Sequence, residues 1–520
     1  MFNPLSFLLH IGFILLLTLV GSTESKSEFW SINCGGSENY TDGNGILWRG
    51  DGDFLQGGGE VRFSEKEWEN SLRVFTSLKI RMNCYKVPVG KGKKILVRMN
   101  FNYGNYDGKS SPPEFDIMFD GKYGDKLKTS LEGSIQREVI YVTKGNYTLI
   151  CVGRIRDDHD PFVSQIEIRT LVNNMYSFKI DSSHVLRLQR RIAFGANKPI
   201  RYPDDSYDRI WSNETLSGST TVKSDITDFT PDMVNTSLEK PPPLLLATGI
   251  EANTATSNLT IPLSYIIGEV RIYEIFYFTE MSNLNSRQFR QFNITLNGQN
   301  LNIRPRYRNL TQAWGWTSVT NETKYALVPS SNSTLPPIIS GMEIYTINDS
   351  DFDTTKEEEI KSLSTLQKHF RILGEWNGDP CLPINYTWDW IGCAYYTSPV
   401  ISILNLSGLG LTGKIPDFSD LKYLGSIDLS NNSFSGEIPN FFANFLYLQV
   451  LNLANNDFAG RIPDSLLAKN ESLQLNYTGN PKLNINSQIN GGGNIIKFRN
   501  VNHFLITYII TIVLCFITLG

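Results

Sequence analysis

The residues with the most chemical promise stand in the stretch SGLGLTGKIP, 407–416. Gly408, Gly410 and Gly413 fit the G-x-G-x-x-G fingerprint of dinucleotide sites, and Gly408 to Lys414 fits most of a P-loop. A phosphate cradle needs a helix N-terminus behind it, and a P-loop needs Ser or Thr after its lysine to hold Mg²⁺. Here Ile415 and Pro416 follow. A second candidate is the acidic pair Asp204 and Asp205 in RYPDDSYDRIW (201–211), which has the residue types of a general acid and base. Adjacent residues of an extended strand point apart, which argues against a shared site. A third is His159 in RDDHDPF (156–162), flanked by Asp157, Asp158 and Asp160. An acidic turn before a strand accounts for it better than a metal site. No H-E-x-x-H, G-x-S-x-G or Cys-x-x-Cys occurs, and between the terminal segments the histidines are His159, His184 and His369. No catalytic residue, metal ligand or cofactor is therefore expected. The fourth candidate points to binding. FNYGNYDG (101–108) sets Tyr103, Asn105, Tyr106 and Asp107 at a strand-to-loop junction. Aromatic faces and polar side chains of this kind can stack on and hydrogen-bond a sugar.

These groups sit in a chain of 520 residues, 41% hydrophobic, with a formal net charge of −4. The length supports several cores, and the charge balance argues against a nucleic-acid partner. The basic run Lys86 to Lys94 (KVPVGKGKK) reads as a solvated strand edge. The N-terminal segment, residues 1–25, has an apolar core from Phe7 to Val20 followed by small residues, the layout of a cleaved secretory signal. At the other end, residues 490–520, NGGG and a polar spacer precede the apolar run Phe504 to Gly520. That is the layout of a glycolipid-anchor signal, with a short transmembrane tail as the alternative. Either places the protein on the extracellular face of the plasma membrane, without an intracellular kinase. N-x-S/T acceptors stand at Asn39, Asn146, Asn213, Asn235, Asn258, Asn293, Asn309, Asn321, Asn332, Asn348, Asn385, Asn405, Asn431, Asn470 and Asn476, consistent with a secreted glycoprotein. Of six cysteines, Cys515 lies in the tail, and Cys381 and Cys393 are close enough in sequence to expect a disulfide. The pairing among Cys34, Cys84 and Cys151 stays open, and one thiol is left over.

An internal repeat organises the first two thirds. PFVSQIEIRTL (161–171) aligns with PIISGMEIYTI (337–347) at an offset of 176, and FDIMFDG (115–121) with FNITLNG (292–298) at 177. Apolar and polar residues alternate within these segments, the pattern of half-buried strands. ILVRMNFNYG (95–104) and VRIYEIFYFTE (270–280) are further strand-like runs. Two tandem β-sandwiches follow, at 29–172 and 180–348, and the chain is mainly β. SINCG (31–35), RMNCYKVP (81–88), FNYGNYDG, PFVSQIEIR (161–169), RYPDDSYDRIW and STLPPIISGMEIY (333–345) resemble the plant malectin-like extracellular region, which carries paired malectin-type sandwiches on receptor kinases. The resemblance implies that 201–211 is structural. It also places the 101–108 loop where animal malectin binds a short glucose oligosaccharide, although plant members do not reliably keep the sugar-contacting set.

TTKEEEIKSLSTLQKHF (354–370) predicts a helix with a Thr cap, acidic first-turn residues and an apolar stripe of Ile360, Leu363, Leu366 and Phe370. With WNGDPCLPINYTWDWIGC (376–393) it forms a linker and cap over 352–396. That segment resembles the Gly-Asp-Pro-Cys cap of plant leucine-rich-repeat receptors, especially symbiosis-receptor-like kinases. A cap of this kind closes the end of a solenoid, and a Cys381–Cys393 bridge would hold it. SILNLSGLGLTGKIP (402–416) then recurs as GSIDLSNNSFSGEIP (425–439) and QVLNLANNDFAGRIP (449–463), with G-x-I-P starting at Gly413, Gly436 and Gly460. This is a leucine-rich repeat of plant type over 398–483. Leu404 and Leu406 point into its core. Asn431 and Asn455, which stand where Gly408 stands, are expected to form its asparagine ladder.

The expected protein is a non-catalytic cell-surface receptor-like protein. Its partners would be a receptor kinase or another surface protein and a secreted peptide, with membrane contact through the tail or a lipid anchor. The alternative is a cell-wall carbohydrate binder that uses the Tyr103 to Asp107 loop on an oligosaccharide. A truncated relative of a kinase-bearing receptor has the same sequence features.

Overall fold

The computed structural model describes residues 28–63, 71–121, 123–176, 184–263, 266–296, 299–349, 353–469 and 472–484. The segments 1–25 and 490–520 and the acceptor Asn470 lie outside the described residues. The chain divides into two units, 1–351 and 352–520.

The first unit is built on one continuous sheet of eleven strands. Strands Tyr40–Thr41, Leu47–Gly50, Phe29–Asn33, Gln165–Leu171, Lys94–Phe101 and Ile135–Val142 form its first half. His184–Phe194, Gly341–Asp349, Val270–Phe278 and Thr311–Val319 form the second, with Ser212–Glu214 beside His184–Phe194. The duplication is visible in the strands. Lys94, Ile135 and Gln165 open strands whose counterparts open 176 residues later, at Val270, Thr311 and Gly341. Each half is closed into a sandwich by its own facing sheet. In the first lobe that sheet is Tyr123–Lys128, Glu114–Phe119, Tyr147–Gly153, Met82–Pro88 and Leu55–Gln56. In the second it is Leu259–Pro262, Lys324–Pro329, Phe292–Leu296 and Gln299–Ile303.

Alternation decides what each face does. Along Lys94–Phe101, Ile95, Val97, Met99 and Phe101 fill the first sandwich, while Leu96 and Arg98 lie on the opposite face. The shared strand His184–Phe194 carries a register shift between Leu188 and Arg190. Before it, odd Val185 faces the first core; after it, even Ile192 and Phe194 face the second. One extra residue reverses the parity of a strand. Both sandwich cores therefore lie on one side of the long sheet. The other side is left for the segment 195–247, which contributes Ile200, Trp211, Met233 and Leu246 to a third apolar cluster with Leu96, Ile140 and Tyr345.

Lys94 corrects the reading of the basic run. It is buried in a central strand, and its Nζ donates to the carbonyls of Asn173, at 2.8 Å, and Met175. Burial lowers its ammonium to about 8. Lys86 remains exposed, 3.8 Å over the Tyr147 ring. Cys84 pairs with Cys151 across adjacent strands, and Cys34 is a buried free thiol.

In the second unit, helix Glu357–His369 and the Cys381–Cys393 disulfide precede the repeats. Strands Val400–Asn405, Ser426–Asp428, Val450–Asn452 and Gln474–Asn476 pair parallel and in register, and Ile391–Ala394 adds antiparallel at the near end. Leu363, Leu366 and Phe370 enter the common core, but Ile360 is only half-buried, and Glu359 and Ser362 are buried in its stead. The expected Thr cap is also corrected. The N-cap is Lys356, with no side-chain cap bond. Thr355 instead gives its N–H (2.9 Å) and hydroxyl (2.7 Å) to Asp379, whose carboxylate also accepts from the N–H groups of Cys381 and Leu382. Asp379 of the Gly-Asp-Pro-Cys segment thus ties the helix start to the disulfide loop.

The asparagines that bind the backbone carbonyls of successive repeats stand one residue after the expected pair. Asn432 Nδ2 donates to the Leu406 and Leu429 carbonyls, at 2.8 and 3.1 Å, and Asn456 Nδ2 to those of Leu429 and Leu453. Asn480 repeats the pattern on Leu453 and Tyr477. Gly408, Asn431, Asn455 and Gly479 occupy the preceding position, with φ of 68°, 57°, 54° and 74°. That turn needs left-handed backbone, which only Gly and Asn adopt readily. Asn431 and Asn455 meet as expected, Asn455 Nδ2 donating to Asn431 Oδ1 at 2.8 Å, but the rungs that bind backbone carbonyls are Asn432, Asn456 and Asn480.

Candidate ligand-binding surfaces

The 101–108 loop leaves the end of strand Lys94–Phe101. Tyr103 is fully buried. Its ring lies in the first sandwich core, 6.3 Å from the Phe162 ring and edge-on to Tyr106 at 5.4 Å. Its hydroxyl donates to Asp107 Oδ1. Asn105 takes left-handed backbone (φ 54°) and accepts the Ser110 N–H at 2.8 Å, and Asp107 accepts the Lys109 N–H at 3.1 Å. Tyr106 is half-buried, edge-on to Phe162 at 5.5 Å. Burial, and then the Asp107 carboxylate, raises its hydroxyl. Tyr103 thus has no open ring face in this arrangement. The accessible set is Tyr106, Asn105 and Asp107.

The acidic pair of 201–211 separates. Asp204 is exposed, whereas Asp205 is fully buried and accepts from Arg209 Nε (2.9 Å), Trp211 Nε1 (2.8 Å) and the Tyr207 N–H. Asp205 belongs to a network of five arginines and five carboxylates on the outer face of the long sheet. Arg98 lies 2.9 Å from Glu138, 3.0 Å from Glu167 and 3.6 Å from Asp208. Arg169 meets Glu167 and Asp208 at 2.6 and 2.7 Å, and Arg201 meets the same two at 3.3 and 3.0 Å. Arg191 bridges Glu138 (2.8 Å) and Glu343 (2.9 Å), and Arg209 approaches Glu343 at 3.9 Å. All but Arg201 are buried. Burial opposes ionisation of Asp208, but Arg169, Arg98 and Arg201 outweigh it and hold the carboxyl at about 2. These charges come from the first lobe, the crossing segment and the second lobe. They fasten 201–211 across the shared sheet, and every carboxylate is neutralised. Asp205 and its partners Arg209 and Trp211 stand together in the 201–211 motif, but the rest of the network was not legible there, because Arg98, Glu138 and Glu343 are ordinary polar positions of alternating strands.

His159 accepts the Glu114 N–H through Nδ1 at 2.9 Å, and the neighbouring Asp158 and Asp160 pair with Arg156 and Arg154. Among the described residues no group of three His, Cys, Asp or Glu side chains is arranged to hold a metal. In SGLGLTGKIP, no helix follows the glycines among residues 414–425, and Lys414 lies along Gly436 of the next repeat.

The repeat array presents its own polar surface. Asn405, Asp428, Asn452 and Asn476 stand in one column across the parallel strands, with Asn452 Nδ2 on Asp428 Oδ2 at 3.2 Å. Tyr423 and Tyr447, equivalent residues of successive repeats, stack at 5.9 Å and are partly exposed. None of the described N-x-S/T acceptors is buried.

The chain thus combines a double sandwich on one sheet, latched by a buried ion network, with a capped leucine-rich-repeat array further along the sequence. Residues 32–347 match the malectin-like domain, and residues 423–445 and 447–468 match the leucine-rich repeat. The chain belongs to the malectin-like domain family. A probable leucine-rich-repeat receptor-like serine/threonine-protein kinase of Arabidopsis thaliana is 32% identical over 438 residues, covering 81% of this chain and 50% of that protein. The chain spans about half the length of the curated relatives it matches. Among solved structures, the ANX2 ectodomain of Arabidopsis thaliana is 17% identical with a TM-score of 0.51, covering 62% of this chain and 97% of that one. The plant receptor-like kinase FER is 22% identical with a TM-score of 0.51, at the same coverage. FER crystallised with the plant peptide RALF23 and LLG2 is 20% identical with a TM-score of 0.50, covering 62% and 95%. At these identities the likeness establishes the fold.

Proposed function

We propose that this chain is a non-catalytic, cell-surface receptor-like protein that binds a secreted peptide or protein ligand and acts with a transmembrane receptor kinase. The observation that carries the reading is the use of charge. The five carboxylates of the buried network, Asp205 among them, are matched by arginines that join the lobes, so the acidic pair that resembled a general acid and base is structural. The structure of FER with the plant peptide RALF23 and LLG2 supports a peptide and a further protein as the partner classes. An extracellular position accords with the relatives' receptor-kinase descriptions. The segments 1–25 and 490–520 would supply secretion and membrane attachment. Calorimetric titration of the glycosylated protein with a RALF-type peptide, with and without an LLG-type protein, tests this. Saturable heat supports the reading; none with either removes these partner classes.

The second reading, a wall-glycan binder, is favoured by the half-exposed Tyr106 beside Asn105 and Asp107. Glucose-, galacturonate- and xylose-based oligosaccharides should then bind, and Tyr106→Ala should abolish binding while leaving the peptide complex intact.

A further inference from the structure

Two of the N-x-S/T acceptors fall on a single feature of the repeats. Asn405 and Asn476 are the first and last members of the polar column that crosses the four parallel strands, with Asp428 and Asn452 between them. Neighbouring strands lie about 4.8 Å apart, so the two acceptors stand about 14 Å from each other. Leu404 and Leu406 enter the core on either side of Asn405, so its side chain faces away from that core. The two acceptors share one local geometry. Asn405 Oδ1 accepts the Ser407 N–H at 3.2 Å and the Ser407 hydroxyl at 2.8 Å. Asn476 Oδ1 accepts the same two groups of Thr478, at 3.2 and 2.9 Å. The carbonyl end of each amide is thus tied back to the chain, and neither Nδ2 donates to a group among the described residues. At other acceptors the hydroxyl two residues on is committed elsewhere: Thr148 to Asp120, Ser237 to Glu239 and Thr387 to the Cys381 carbonyl. Neither this column nor the one two residues before it, from Ile403 to Gln474, holds an aromatic or basic side chain. Tyr, Trp and Arg are the usual anchors of a protein interface.

We propose that N-linked glycans on Asn405 and Asn476 cover the outer face of the repeat sheet and close that face to a protein ligand. In each transfer a bond forms between Nδ2 and the anomeric carbon of a lipid-pyrophosphate-linked oligosaccharide. The bond from that carbon to the phosphate oxygen breaks, and the amide gives up one proton as the lipid pyrophosphate leaves. The turn that ties Oδ1 to the residue two positions on is local, so the chain can form it before the repeats fold. After folding, Nδ2 loses no internal hydrogen bond on gaining a sugar. A bulky glycan at each end of the column reaches over Asp428 and Asn452 between them. The proposal rests on the extracellular placement given above and not on the choice of ligand.

The test expresses the full chain, with its own residues 1–25, in plant cells. The glycans are released by an amidase in heavy-oxygen water, which turns each occupied asparagine into a labelled aspartate that mass spectrometry reads residue by residue. Asn405 and Asn476 should be occupied in most molecules. Ser407→Ala and Thr478→Ala keep each asparagine and should each remove one glycan, whereas Ser407→Thr should retain it. In the Ser407→Ala/Thr478→Ala variant, carbodiimide-driven amidation of Asp428 should rise at least several-fold, with no change at Asp420, an exposed residue outside the column. Three results overturn the proposal: Asn405 or Asn476 unmodified in most molecules, Asp428 labelling that is the same with and without the glycans, or RALF-type peptide heat that Asp428→Ala removes from the glycosylated chain. Glycans on other acceptors but not on these two would leave the extracellular placement standing and remove only this inference. Glycans on none would remove both.

Discussion

The two units bury polar groups by opposite means. The malectin-like unit balances ten charges across three segments far apart in sequence, from Arg98 to Glu343. The repeats, past their cap, use neutral asparagines, each bound to carbonyls of its own repeat and the one before. A charge network costs a large desolvation penalty and holds only when complete. An amide ladder costs little per rung and can be extended one repeat at a time. The first suits a unit that must fix two lobes in one arrangement, the second a solenoid of variable length.

The strongest way to break this contrast is Arg98→Met. It leaves Glu138, Glu167 and Asp208 short of a buried partner and should destabilise the malectin-like unit by about 3–5 kcal/mol. Hydrogen exchange read peptide by peptide should show loosening in both lobes and unchanged protection in 400–484. Equal loosening in the repeats would dissolve the comparison.

A second test uses pH. Glu274 is buried in the second sandwich, where burial pushes its carboxyl up to about 7 against the opposing Tyr325 hydrogen bond. Its folded value lies above its unfolded one, so its stability term is full below the unfolded pKa and is lost as pH rises through 7. The loss should be on the order of 3 kcal/mol between pH 4.5 and 8. Chemical unfolding of Glu274→Gln should be flat over that range relative to the parent chain. Glu359 in the repeat cap is likewise pushed to about 7 by burial, opposed by the Ile401 N–H, so Glu359→Gln should flatten the repeat unit alone.

Asn456→Ala removes one ladder rung. It leaves the Phe434 N–H and the Leu429 and Leu453 carbonyls without their side-chain partner, and should cost about 1–3 kcal/mol, confined to the repeats. The smallest effect distinguishes the turn from the ladder. Asn455→Ala should cost about 1 kcal/mol because of its left-handed backbone, while Asn455→Gly should be close to neutral. Equal costs would mean that the Asn455–Asn431 side-chain bond, at 2.8 Å, matters more than φ.

Much of the architecture was legible. Period-two alternation and the 176-residue offset located equivalent strands such as Gln165–Leu171 and Gly341–Asp349, and the 23- and 24-residue spacing located the repeats. The errors share a cause. Thr355 looked like a helix cap because capping is local, yet its partner is Asp379, 24 residues away. Asn431 and Asn455 do bond to each other, but the carbonyl-bound rungs one residue later were not singled out, because alignment cannot separate a φ requirement from a hydrogen-bond requirement. The binding loop was legible in composition but not in exposure, since whether a tyrosine such as Tyr103 packs inward depends on the Phe162 ring that meets it.

The sequence by itself determined the β class, the duplication, the repeat array and the Cys381–Cys393 bridge, because periodicity and close spacing are properties of the chain. Only the tertiary structure decided that the two sandwiches share one sheet, since a single bulged residue in 184–194 sets which side each core takes. The ion network and the terminal edge at Thr311–Val319 were decided there as well. Whether a charge is paired, or a strand is flanked, depends on residues brought together from distant positions, as Arg98 with Asp208 and Arg191 with Glu343.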